Sequence, residues 1–295
     1  MFTKLSDVNK AVIFAILALA LALVIIPVVT GSFITKIAYM WTPGIAALVM
    51  LLVVTRDGFS REGWKSLGLH RLGLSVWWIA LLAALLIGVI ATAIVWATPL
   101  ASFVVPNGAV GEISDFLIGG IVLGTLVIAM GEELGWRGYL LPRLLPLGRT
   151  RALVLVGLIQ AAWHMPLIFF TAAVYPPEAN KLIVLPLFVA TIMGESFFLG
   201  PLRLYTGSVW PASLGHATFN GLKVTLAAFT VTSSPIVVYD YLAGDAGILI
   251  VVGLAVVGIW LSYRFRSSPD TPQDDAPLDI GGGKEPTSSE APAPG

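Results

Sequence analysis

Apolar residues along this chain come in blocks of about 20, separated by short polar segments, and this spacing predicts helices that cross a bilayer rather than a soluble core. Read with a window of about 19 residues, the blocks fall at 11–31, 34–55, 74–97, 116–138, 151–171, 182–199, 208–231 and 246–263. Pro43 and Pro186 interrupt the second and sixth. The first block follows Lys4 and Lys10. It is longer than a signal-peptide core and has no small-residue cleavage site, so it reads as a retained span. The expected fold is all-α: a polytopic transmembrane bundle of about eight spans occupying 1–266, with an intramembrane polar cavity.

Composition agrees with the pattern. Hydrophobic residues make up 57% and charged residues 12%, and the mean hydropathy is +0.90, far from the balance of a soluble domain. The formal net charge is zero, so no basic face can neutralise phosphates and no nucleic-acid partner is expected. There is no cysteine, which removes thiolate metal sites and a cysteine nucleophile. Charge also orients the spans. With a cytoplasmic N-terminus, Lys4, Lys10, Arg56, Arg61, Lys65, Arg71, Arg143, Arg149, Arg151, Arg203, Arg264 and Arg266 fall inside. The outside loops then hold only Lys36 and Lys181, with Glu112, Asp115, Asp240 and Asp245. That asymmetry is what the positive-inside rule requires, and it predicts an integral membrane protein with both termini cytoplasmic. From 267 to 295 the chain turns to Ser, Pro, Gly and acids and reads as a disordered cytoplasmic tail.

The chemistry lies in three spans. The fourth carries Glu132, Glu133 and Arg137, and a carboxylate in hydrocarbon costs several kcal/mol unless paired, protonated or turned to a polar cavity. Glu133 and Arg137 are four apart and share a helical face, while Glu132 points elsewhere. Helical phase therefore assigns Glu133 to a structural ion pair and leaves Glu132 free to take a proton from water and return it. The fifth span places His164 beside Pro166, about 20 Å along the axis from Arg151, where the proline should kink the helix and free carbonyls. The seventh stacks His216 and Asn220 on one face among small residues. Two neutral hydrogen-bonding groups aimed at one point suit the oxyanion of acyl transfer. All of these groups can sit in the cytoplasmic half of the bilayer.

Glu-Glu-x-x-x-Arg at Glu132, Glu133 and Arg137, a histidine in the next span at His164, and His-x-x-x-Asn at His216 and Asn220 resemble the CPBP family, also called Abi. That family comprises the CAAX prenyl endopeptidases and their bacterial relatives. The resemblance covers roughly residues 40 to 225, with three motifs in order in separate spans. Gln160 stands where the family usually has phenylalanine in a Phe-x-x-x-His motif. The resemblance implies an intramembrane endopeptidase in which Glu132 activates water with help from His164, and His216 and Asn220 stabilise the tetrahedral oxyanion. It implies a peptide or protein substrate, with or without a lipid attached, reached among membrane lipids, and leaves a glutamate-type and a metal-dependent mechanism both open.

Other readings of the same residues are distinct. No cofactor is required, and no metal is assigned; zinc, if used, would draw on His164, His216 and Glu132, and there is no His-Glu-x-x-His. Glu195 and Lys223 are expected near helix ends or lining the cavity, His70 in solvent, and Trp77-Trp78 and Phe197-Phe198 in belts or packing. A non-enzymatic scaffold or immunity protein would need the polar groups only to hold helices together. A proton-coupled transporter would need repeated halves, and no internal repeat is present. The leading expectation is hydrolysis of a peptide bond by Glu- and His-activated water near the cytoplasmic side of the bilayer.

Overall fold

The structure is a computed structural model that describes residues 5–29, 32–171, 179–233, 235–244 and 247–265. The tail expected at 267–295 lies outside the described residues, as do Lys4, Asp245 and Arg266. Eight long helices follow the apolar blocks. They are α1 Asp7–Val28, α2 Phe33–Val54, α3 Leu74–Trp96, α4 Ala109–Leu147, α5 Arg149–Phe170, α6 Lys181–Thr206, α7 Trp210–Ala228 and α8 Ile248–Arg264. Seven candidate spans are long and apolar enough to cross a membrane, and α7 is not among them. The reason is visible in its sequence, which carries Ser213, His216, Thr218, Asn220 and Lys223. Such a helix is tolerable because protein, rather than lipid, surrounds it: Pro211 through Phe219 are buried.

Two features depart from the sequence reading. The fourth span runs for 39 residues instead of stopping near Gly138. Pro142 and Pro146 do not end it, because each stands in the first turn of a new helical segment, where a missing N–H costs nothing. A two-stranded antiparallel ladder, Ala101–Phe103 with Thr230–Thr232, also joins the segments that follow α3 and α7. It is the sole sheet among the described residues of an otherwise helical chain.

Close helix approach sets the position of the fourth span. A Cβ on Gly44 would lie 2.7 Å from the Gly131 carbonyl oxygen, so α2 meets α4 backbone to backbone one residue before the glutamate pair. A Cβ on Gly221 would lie 2.8 Å from the Gly120 Cα, which brings α7 against α4 in the same way. Residues 116–128 of α4 are wound as a π-helix, and the Trp41 indole of α2 donates to the Val127 carbonyl at 2.9 Å. On the far side of α4, Phe14 of α1 stacks on Tyr139 at 5.1 Å and meets Trp136 edge-on at 5.9 Å.

Candidate active site

The glutamate pair is fully enclosed, with Glu132 2% and Glu133 0% exposed. The i,i+4 relationship holds: Arg137 donates to Glu133 Oε1 at 2.8 Å, with both side chains out of solvent. The same oxygen also binds His216 Nδ1 at 2.8 Å, linking α4 to α7. A carboxylate oxygen accepts, so Nδ1 is the protonated nitrogen and Nε2 is left for other partners. Glu133 therefore does more than the structural pairing its helical phase suggested. It fixes the orientation of His216.

Glu132 forms no salt bridge with a described residue, unlike Glu133. Two donors reach its Oε2: the Trp136 indole at 3.3 Å and the Gln160 amide at 3.4 Å. No donor from a described residue reaches Oε1. Gln160 also accepts from Arg137 at 2.9 Å through its amide oxygen. Gln160 thus bridges the paired and unpaired halves of the glutamate motif, and it is wholly buried. Trp136 lies four residues after Glu132, the spacing that joins Glu133 to Arg137, so its contact was readable from the sequence. The contact of Gln160 was not, since it crosses from α5 to α4.

His164 lies one turn beyond Gln160 on α5, and its Nδ1 is 2.9 Å from the Gln160 carbonyl oxygen. A carbonyl only accepts, so here too Nδ1 carries the proton and Nε2 is the remaining basic atom. The ring stands edge-on to Trp163 at 4.6 Å and to Phe188 of α6 at 5.0 Å. Below it, Tyr39 donates to the Trp163 carbonyl at 2.6 Å and the Trp163 indole donates to Thr42 at 2.9 Å. These bonds lock α2 to α5. The helix continues through Pro166 to Phe170.

Glu132, His164, His216 and Asn220 line one cavity of about 190 Å³, together with Gln160, Glu195, Lys36 and Lys223. Glu133 and Arg137 stand behind its wall. The Asn220 side chain makes no hydrogen bond to any described residue, and it also borders a second, more apolar cavity of about 340 Å³ between α4 and α7. Lys36 was expected only in a loop, yet it lies in α2 and lines the cavity. Glu195, expected near a helix end or lining the cavity, does line it, but from well inside α6 and 7% exposed. That position is held by Ser196, which donates to the Leu153 carbonyl at 2.7 Å. Of the other residues considered, His70 is exposed, Trp78 is 59% exposed and Phe198 is packed in the core.

The polar groups share a cavity without forming a metal cluster. Among the described residues no three His, Asp or Glu side chains are gathered closely enough to hold a metal ion. His164, His216 and Glu132 thus do not fit a preformed zinc site.

Residues 114–222 match the family model described as Type II CAAX prenyl endopeptidase Rce1-like. The matched stretch runs from the start of the π-helical part of α4 into α7 and carries every motif residue named above. The resemblance drawn from the motifs and the family match therefore agree over the region that builds the cavity. No curated protein matches the chain. The matched family is described as an endopeptidase, and the long apolar helices are those of an integral membrane protein.

Proposed function

We propose that the chain is an intramembrane endopeptidase that hydrolyses a peptide bond in this cavity by direct attack of water. The observation that carries the reading is the division of labour between adjacent glutamates. Glu133 is saturated on one oxygen by Arg137 and His216, while Glu132, facing the cavity, keeps an oxygen free of donors from described residues.

A water held between Glu132 and the His164 Nε2 attacks the scissile carbonyl carbon, and its proton passes to the Glu132 carboxylate. The carbonyl π electrons move onto oxygen, and that oxyanion accepts hydrogen bonds from the Asn220 amide and, in its imidazolium form, from His216 Nε2. Collapse of the tetrahedral intermediate breaks the C–N bond, and Glu132 returns its proton to the leaving amine. Products are a carboxylate and an amine, with no covalent intermediate. The substrate is a peptide or protein segment, lipidated or not, that enters the cavity in extended form.

The test compares cleavage of a peptide library, including prenylated members, by purified wild type and Glu132→Gln. Cleavage by wild type that is lost in the variant supports the reading. A wild type no more active than the variant on every substrate overturns it and leaves the scaffold function. A strong chelator in the same assay decides metal dependence.

A further inference from the structure

We infer that the cavity opens on the face of the bundle opposite its arginine-rich end, so that substrates are peptide segments presented from outside the cytoplasm. This rests on the endopeptidase reading for what happens to the segment, but the direction of access stands on separate observations.

The cavity lining is graded. Among its titratable and amide-bearing members, Glu132, Gln160, Glu195 and His216 are buried, none more than 7% exposed. Its exposed and half-exposed members are Lys36, His164, Leu167, Asn220 and Lys223. On α2, α5 and α7 the accessible polar members Lys36, His164, Asn220 and Lys223 lie toward the same end of the bundle. Lys36 is in the first turn of α2, before buried Tyr39. Leu167 follows Gln160 toward the α5 terminus at Phe170. Lys223 follows His216 toward the α7 terminus at Ala228. The second cavity, which meets the first at Asn220, is bordered by Phe33, Glu112 and Asp115, which belong to that same end.

The opposite end is sealed. Leu134 through Leu141 are buried without a break. Arg203 of α6 donates through Nε to the Arg137 carbonyl at 3.1 Å and through Nη2 to the Ser66 carbonyl at 2.9 Å. The segment between α2 and α3 is tied across this end. Ser208 donates to the Arg71 carbonyl at 2.6 Å, and the Trp210 indole donates to the Leu69 carbonyl at 3.1 Å.

Charge then distinguishes the two faces. The sealed end carries Arg56, Arg61, Lys65, Arg71, Arg143 and Arg151, and the open end carries Lys36 and Lys181 with Glu112, Asp115 and Asp240. Basic loops stay in the cytoplasm. The mouth is therefore extracytoplasmic, against the sequence expectation of cleavage near the cytoplasmic side. That expectation located the reacting groups along their helices but had no means of seeing which end of the cavity was closed.

The absence of cysteine makes a direct test available. Single variants Lys36→Cys and Leu167→Cys mark the mouth, and Arg61→Cys marks the sealed face. Each full-length variant is treated with a membrane-impermeant maleimide in intact cells and again after permeabilisation. The expected result is labelling of both mouth positions in intact cells and of Arg61→Cys only after permeabilisation. In addition, an adduct at Leu167→Cys lowers cleavage at least tenfold. Labelling of Arg61→Cys in intact cells, or of the mouth positions only after permeabilisation or not at all, overturns the inference. These labelling outcomes do not depend on catalysis, so they remain decisive even if the Glu132→Gln comparison removes the peptidase reading.

Discussion

Glu133 and His216, 83 residues apart in sequence, are joined at 2.8 Å by the same carboxylate oxygen that holds Arg137. One buried anion thus fixes both a cation on its own helix and a histidine on another. Replacing it with glutamine keeps the shape and removes the charge. Breaking one partner out of a buried pair costs about 3–5 kcal/mol, because the remaining charge is left uncompensated. Glu133→Gln is expected to lower the thermal midpoint of the purified protein and to abolish most cleavage, since His216 loses its orienting acceptor. A variant with wild-type melting and wild-type turnover would show that Arg137 and His216 are held by other means.

Gln160 offers a separable prediction. Its amide donates to Glu132 and accepts from Arg137, and hydrogen bonds to charged groups contribute about 1.5–3 kcal/mol. Gln160→Leu removes both while keeping an apolar side chain in the wall. Turnover is expected to fall about 10- to 100-fold, as 1.4 kcal/mol of barrier is tenfold in rate, with KM changing little. Gln160→Phe installs the residue the family motif usually has. If it matches or exceeds wild type, the amide bridge is dispensable for Glu132.

Asn220 is expected to act only once charge has developed. Removing a donor to an oxyanion costs about 10²–10³ in kcat. Asn220→Ala should show that loss with little change in KM or in melting temperature, because the Asn220 side chain makes no hydrogen bond to any described residue. A large drop in stability instead would make it helix glue.

The balance between what sequence disclosed and what it concealed follows interaction range. The eight helices, the i,i+4 ion pair of Glu133 and Arg137, and the motif residues were legible because they depend on hydropathy blocks and helical phase along one segment. Trp136 obeyed the same spacing and was overlooked. The Gln160 bridge, the second bond of Glu133 to His216 and the depth of Glu195 depend on how separate helices face one another, which no local period encodes. The fourth span was cut short because a window of about 19 residues ends where the apolar block does, whereas Pro142 and Pro146 each fall in the first turn of a new helical segment and let the helix run on. Access direction was hidden for a further reason: it is set by which loop covers an end of the bundle.

The meeting of α4 and α7 sets the wall between the two cavities, and glycine makes it possible. A Cβ on Gly221 would stand 2.8 Å from the Gly120 Cα and 3.2 Å from the Phe116 ring, whereas one on Gly119 would meet nothing within 4 Å. Backbone cannot retreat as a flexible side chain can, so Gly221→Ala must push the helices apart. Overpacking of this kind costs about 1–3 kcal/mol. Because Asn220 is the preceding residue, its amide moves with the backbone. Gly221→Ala is expected to lower both the melting temperature and kcat, while Gly119→Ala, next to Gly120 on α4 but facing open space, leaves both unchanged. Thermal melts and turnover of the two variants, measured side by side in one detergent, check this. Equal behaviour would mean that the α4 and α7 backbones are not in contact.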